Sequence, residues 1–212
     1  MQHSVYLLGC GNHGSVLLDG FLLRSVNLKG IVDPEFQIGS SVLGIPVVSS
    51  GHLETLEKSL IRLINGLGVN GGTAPRNELF EHYILLGFSF CGFIHPTATV
   101  SPNGWLSPDS QVLAGAIVQY NARIEENSVL NTGCIVEHDC VVGKGSFIGP
   151  GAVLGGGVRT GNAAFVGVGA TILPEVSLGS QCVVGGGAVV TRDVPAGVTV
   201  VGNPARAVQE PS

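Results

Sequence analysis

His138 stands between two acids, Glu137 and Asp139. An imidazole titrates near neutrality and can take a proton from an attacking nucleophile. A carboxylate hydrogen-bonded to one ring nitrogen would fix the tautomer and make the other nitrogen a better base. A solvated surface histidine with acidic neighbours has the same local sequence, and position alone leaves both readings open. Gly155, Gly156 and Gly157 follow somewhat further on. Their unobstructed backbone N–H groups suit a developing oxyanion, although glycines needed only for a turn would read identically. Near the start, Gly9-Cys10-Gly11-Asn12-His13-Gly14 has the spacing G-x-G-x-x-G, and Asp33 lies some twenty residues beyond it. That combination places a phosphate at a helix N-terminus and an acid beside a ribose.

The elements that must position His138 are set by a repeat. Stepping by six from Ile94 to Val190 visits seventeen positions, all aliphatic except Thr160. Four residues past each aliphatic position the chain is small or valine, from Ala98 through Cys134 and Cys140 to Ala188. Neither a helix nor an alternating strand has this period. A triangular prism does, with six residues per face and three faces per coil. The aliphatic residue points inward, the small residue sits at the corner, and glycines just after the aliphatic position (Gly143, Gly149, Gly167) ease the turn. His138, two residues after Val136, then faces outward. Cys134, Cys140 and Cys182 fall on the small inward phase and read as packing residues, not nucleophiles. Periodicity says nothing about handedness.

Ahead of the prism, Val5–Leu8 reads as a strand, residues 15–25 as a helix, and Lys29–Val32 as a second strand ending at Asp33. Ile61–Ile64 reads as a third strand, followed by the glycine-rich run 65–72, which suits either a ligand contact or a surface loop. Ala74–Leu86 reads as a helix. The expected fold is therefore an α/β Rossmann-like nucleotide-binding domain over residues 1–92. A parallel β-helix follows over residues 93–212, ending in a C-terminal tail. Ninety residues hold only half of a dinucleotide fold, so a mononucleotide or a nucleotide-linked ligand suits the space better.

Composition narrows the function. Charged residues are 12% of the chain, glycines number 33, and mean hydropathy is +0.42. No run of about 18 residues is apolar without interruption, so no membrane insertion is expected. Leu7-Leu8-Gly9-Cys10 resembles a lipoprotein box but lacks the preceding basic residues and a long apolar run. The expected location is the cytoplasm, where five cysteines without a C-x-x-C pair stay reduced. A net charge of −5 argues against nucleic-acid binding. The prism offers only His95 and His138, too few for a three-histidine zinc site, and no metal is expected. It also lacks the threonine ladders of an ice-binding surface.

The segments GCGNHG, IVDP, NGLG, IHPTA, NTGCIVEHDC and VGGGAVVTRDVPAG…VGNPAR resemble, across residues 3 to about 208, the sialic-acid O-acetyltransferase family of hexapeptide-repeat acyltransferases. This family includes the UDP-4-amino-sugar N-acetyltransferases of bacillosamine-type pathways. The resemblance implies a left-handed β-helix, a homotrimer, acetyl-CoA as co-substrate and a nucleotide-sugar acceptor. It makes His138 the general base, with Asp139 raising its basicity, and Gly156 the oxyanion donor. It assigns the sugar nucleotide to Gly11, Asn12, His13, Asp33 and Gly68. Coenzyme contacts fall at Phe147, Val168 and Gly186, with Arg206 near the end of the prism reaching a phosphate. Two positions depart from the family: Phe147 replaces a histidine, and Pro34 replaces the second acid of an Asp-Asp pair. The leading reading is N-acetylation of a nucleotide-linked amino sugar in surface-glycan biosynthesis. Alternatives are O-acetylation of sialic acid or another sugar hydroxyl, and a non-catalytic sugar-nucleotide binding module.

Overall fold

The computed structural model describes residues 3–24 and 26–208. They divide into two compact units, one running to residue 68 with 78–91, the other comprising 69–77 and everything from residue 92.

In the first unit, strand β1 (Ser4–Leu8) is apolar and buried over its last four residues, as a central strand must be. Helix α1 (Asn12–Leu22) follows and packs Leu17, Leu18 and Phe21 inward. The chain returns as β2 (Leu28–Val32), parallel to β1. A hairpin of β3 (Ser41–Val42) and β4 (Ile45–Pro46) turns at Leu43-Gly44, both with positive φ. Then come a short helix α2 (Ser50–Glu54), capped by the Ser49 hydroxyl, and a 3₁₀ turn over Lys58–Leu60. Strand β5 (Ile61–Asn65) pairs parallel on the other side of β1, and helix α3 (Ala74–Leu85) belongs to this unit from residue 78 on. Tyr6, Leu8, Leu53, Leu63, Phe80 and Phe90 belong to one apolar cluster.

A Rossmann-like domain is not what this unit forms. Its sheet has three strands in the order β2-β1-β5, with one 11-residue helix joining β1 to β2. A dinucleotide fold needs two such halves around a six-stranded sheet. Here the β3–β4 hairpin and a five-residue helix occupy the chain between β2 and β5, where a second full crossover helix would stand. The glycine turn and the acid were read correctly as local features; they are common to a single βαβ unit and do not measure the sheet around it. Of the expected helix over residues 15–25, residue 25 lies outside the described residues, as does the tail beyond residue 208.

The second unit is a left-handed β-helix from about residue 93. Two-residue strands form three parallel faces, named here by their first outward residue. On the Thr99 face Ile117 pairs with Ile135 and Val153 with Thr171, each eighteen residues apart. The Phe93 and Trp105 faces are built in the same steps. Val136, Ile148, Leu154 and Val166 are completely buried, and so are the small corner residues Cys134, Cys140, Ala152 and Cys182. The Cys134 thiol is pushed up to about 12, and those of Cys140 and Cys182 to about 11, chiefly by burial. Thr160, the one polar residue in the aliphatic column, is reconciled with the core by accepting the Gly143 N–H at 2.9 Å.

The corner chemistry differs from the sequence expectation. Gly143, Gly149 and Gly167 are not the residues that turn the chain. A side chain there would strike the backbone of the next coil, 2.5 Å from Gly161 O in the case of Gly143. From Gly115 to Gly187, turning falls to the residue three past each position of the aliphatic column, all with positive φ. Asn121, Asp139, Gly157 and Glu175 occupy it on successive coils of one corner, all with positive φ. Replacing Ile148 with alanine should cost about 2–5 kcal/mol; chemical denaturation monitored by circular dichroism measures this directly.

Candidate active site

Register stacking places His138 on the corner between the Thr99 and Trp105 faces, just after the strand Ile135–Val136. On that corner Tyr120 precedes it by one coil and Gly156 follows by one, because the coil repeats every eighteen residues. Asp139 donates its N–H to Tyr120 O at 3.1 Å, and Gly157 donates to His138 O at 2.9 Å. The imidazole is therefore anchored through the backbone on both sides, although its side chain is 60% exposed.

Asp139 adopts a left-handed φ of 61°. Its carboxylate Oδ2 lies 2.8 Å from His138 Nδ1. A carboxylate only accepts, so Nδ1 carries the hydrogen and Nε2 is left with its lone pair when the ring is neutral. The other carboxylate oxygen, Oδ1, accepts Asn121 Nδ2–H at 2.7 Å. These contacts set the electrostatics. The hydrogen bond that His138 donates to Asp139 is the main reason the His138 imidazole is held above its ordinary value, with the charges of Asp139, Glu137 and Glu175 adding to it. Asp139 is held below the usual carboxylate range, first by Asn121 and then by His138.

Gly156 faces the ring. A Cβ there would stand 2.6 Å from His138 Nε2 and Cε1, so only glycine leaves the imidazole its place. Its neighbours Gly155 and Gly157 donate their N–H groups to Ile172 O and His138 O. The Gly156 N–H donates to no backbone carbonyl among the described residues. A lone pair on Nε2 and an uncommitted N–H beside it form a pairing that can take a proton and meet a developing oxyanion. Sequence reasoning missed Asn121, although it stands eighteen residues before Asp139. Counting back one coil from each candidate would have found it.

The other expected residues fall into separate groups. On the prism, Val168 is 61% exposed and Gly186, one coil on, is also exposed. A Cβ on Gly186 would lie 3.1 Å from the Val168 side chain, so the structure brings these two together. Phe147 is 7% exposed and stacks on Phe165, one coil further along, with centroids 5.6 Å apart and planes 5° from parallel. This position, where the resemblance leads one to expect a hydrogen-bonding histidine, holds a closed aromatic pair in this chain. Arg206 lies on the terminal strand Arg206–Ala207, its Nη1 donating to Ala205 O at 2.8 Å. Among the described residues no group of three or more His, Cys, Asp or Glu is arranged to hold a metal ion.

In the first unit Gly11, Asn12, His13, Asp33 and Gly68 all lie just beyond the C-terminal ends of β1, β2 and β5. A Cβ on Gly68 would be 3.2 Å from the His13 Cβ, so the turns after β1 and β5 converge. Asp33 is engaged with the backbone, accepting the Cys10 N–H at 2.6 Å and the Glu35 N–H at 2.8 Å. It ties the glycine turn to β2, which fixes the mouth of the sheet where ligands of open α/β sheets bind.

The chain matches the family model for the bacterial transferase hexapeptide (six repeats) over residues 121–156, the segment holding Asn121, His138, Asp139 and Gly156. Among solved structures it is similar to GDP-perosamine N-acetyltransferase from Caulobacter crescentus, at 33% identity over 99% of each chain and a TM-score of 0.90. That protein was crystallised as histidine-to-alanine and histidine-to-asparagine mutants in complex with CoA and GDP-perosamine. It is also similar to the acetyltransferase domain of PglB from Neisseria gonorrhoeae FA1090 in complex with acetyl coenzyme A. There the identity is 31%, over 98% of this chain and 100% of that one, with a TM-score of 0.90. No curated protein matches.

Because the Asp139 hydrogen bond is the largest influence on His138, Asp139→Asn should lower the imidazole pKa. An NMR titration of the His138 ring protons tests this; a midpoint that stays put or rises would detach Asp139 from the base.

Proposed function

The chain belongs to the hexapeptide-repeat sugar acetyltransferases, and from that premise we propose that it carries an acetyl group from acetyl-CoA to the amine of a nucleotide-linked amino sugar, with His138 as general base. The observation that supports this assignment of roles is the bond from His138 Nδ1 to Asp139, which leaves Nε2 facing the space above Gly156.

As the sugar nitrogen forms its bond to the thioester carbonyl carbon, Nε2 takes the proton that nitrogen must shed. The carbonyl oxygen becomes an oxyanion, met by the Gly156 N–H. When the carbon–sulfur bond breaks, the imidazolium returns its proton to the departing sulfur, and the ring is neutral again. Asp139 stabilises the imidazolium in between, and Asn121 keeps the carboxylate in position. The raised His138 value gives the sign of the pH dependence: the base is lost as pH falls through it, so turnover rises with pH across that range.

Val168 and Gly186 offer an exposed apolar side chain beside bare backbone, a surface along which an extended pantetheine arm can lie. The Phe147–Phe165 stack limits thioester positioning nearby to apolar contact. Gly11, Asn12, His13, Asp33 and Gly68 are assigned to the sugar nucleotide, through the glycine turn and the start of α1. The proposed assembly is a homotrimer in the cytoplasm. In support, the Thr99 face beside His138 presents Ile117, Ile135 and Val153 outward on consecutive coils, followed by Thr171 and Val189, a mostly apolar column suited to a neighbouring prism. No helix among the described residues is long and apolar enough to cross a membrane.

Thiol release from acetyl-CoA, measured with UDP-, GDP- and dTDP-linked 4-amino sugars and with free sialic acid, tests the reading. Turnover confined to hydroxyl acceptors would replace it with O-acetylation. His138→Ala should lower kcat by roughly 10²–10⁴-fold with little change in KM for acetyl-CoA. Gly156→Ala keeps the N–H but displaces the ring, and should cost on the order of 10²-fold in kcat without changing the circular dichroism spectrum.

A further inference from the structure

Three consecutive glycines cut a notch into the corner of the prism that carries His138. On successive coils the same corner positions hold Gln119-Tyr120-Asn121, Glu137-His138-Asp139, Gly155-Gly156-Gly157 and Leu173-Pro174-Glu175. Each glycine yields its space to a different neighbour. A Cβ on Gly155 would stand 2.8 Å from Pro174 N, one on Gly156 2.6 Å from His138 Nε2, and one on Gly157 2.8 Å from Glu175 Oε2. His138 therefore leans into the notch from the coil before, and Glu175 leans in from the coil after. Gly156 and Gly157 are buried although they stand at an outer corner, covered by the imidazole and the carboxylate.

The proton-transfer chemistry uses only one side of this notch. Glu175 is tied there through its backbone, donating its N–H to Gly156 O at 2.9 Å. Its side chain is exposed, and the carboxylate makes no hydrogen bond or ion pair among the described residues. The imidazole is paired with Asp139, not with Glu175, although the charge of Glu175 helps to hold it above its ordinary value. Nε2 and the carboxylate stand over adjacent residues, whose Cα atoms are about 3.8 Å apart. A tetrahedral nitrogen that donates to two acceptors at about 2.9 Å each holds them roughly 5 Å apart. Two acceptors leaning in from opposite sides, with the Gly156 N–H between them, suit such a nitrogen.

We propose that Glu175 accepts the second N–H of the acceptor amine, fixing the nitrogen between its carboxylate and His138 Nε2 and selecting an amine over a hydroxyl. The proposal rests on the acetyl-transfer reading and deepens it. As the nitrogen bonds to the thioester carbon, one N–H proton passes to Nε2. The other stays on nitrogen, hydrogen-bonded to Glu175, and remains in the amide product. That bond strengthens as positive charge builds on the nitrogen during attack. A hydroxyl has a single O–H. Once that proton is given to Nε2, the carboxylate faces an oxygen lone pair, so the arrangement that holds an amine repels an alcohol.

The intact wild type, Glu175→Ala and Glu175→Gln are compared by thiol release from acetyl-CoA with amino-sugar nucleotides, across the pH range. Both variants keep a Cβ at the left-handed φ of 63° and leave the turn as it is, which circular dichroism checks. On the plateau above the acid limb of the profile, Glu175→Ala should lower kcat/KM for the acceptor about tenfold or more, as for the loss of a charge-assisted hydrogen bond. Glu175→Gln keeps an acceptor oxygen and should recover part of that loss. KM for acetyl-CoA should not change. A carboxylate that acts on His138 through its charge alone would give a different result: the acid limb would move to lower pH while the plateau kept its height. That outcome overturns the proposal. So does a raised KM for acetyl-CoA with unchanged acceptor kinetics, which would assign Glu175 to the coenzyme. A wild type that turns over no amino sugar would remove the acetylation reading and the proposal together, whereas an unchanged plateau in Glu175→Ala removes the proposal alone.

Discussion

The structure depends on each coil of the prism closing in eighteen residues and landing in register on the one before. Once that holds, every outward position becomes a column running along the prism, and residues far apart in sequence become neighbours at strand spacing. Asn121, Asp139, Gly157 and Glu175 are one such column, and Tyr120, His138 and Gly156 are another. The candidate catalytic group is assembled from three consecutive coils without any long loop. Its precision comes from backbone hydrogen bonds such as Asp139 N to Tyr120 O and Gly157 N to His138 O.

The same constraint explains why an acid sits where it does. From Gly115 to Gly187 each corner has one residue in the left-handed region, which favours glycine and, among other residues, asparagine and aspartate. Asp139 meets that backbone demand at a φ of 61°, while its side chain stays beside the preceding histidine and reaches the asparagine one coil away. A residue required for turning also serves to polarise its neighbour. Gly156 is constrained for a different reason: its backbone is ordinary, but the imidazole occupies the volume a side chain would need.

Much of this was legible in the sequence, for identifiable reasons. A period of six over sixteen aliphatic positions admits few architectures, and an outward histidine between two acids stood out against so sparsely charged a repeat. Handedness was not legible, since stacking apolar residues every eighteen positions serves either hand. The glycines were misread because proximity in sequence suggested turning, whereas Gly143 and Gly167 answer to the backbone of the next coil, invisible to a local pattern. The first unit was overread for the opposite reason. A glycine turn and an acid about twenty residues apart describe one βαβ crossover, and no local feature counts the strands that follow. Asn121 was missed because its partner lies across a coil, not along the chain.

The inward cysteines have a practical consequence. Cys134, Cys140 and Cys182 lie fully buried in the stacked interior, with thiols held well above neutrality. Thiolate is the species that oxidants and alkylating reagents attack. The folded prism therefore shelters these sulfurs from peroxide and from electrophiles, and a dye that counts free thiols sees little of them until the coils separate. The interior of the prism thus holds its own chemical record of whether the chain is folded.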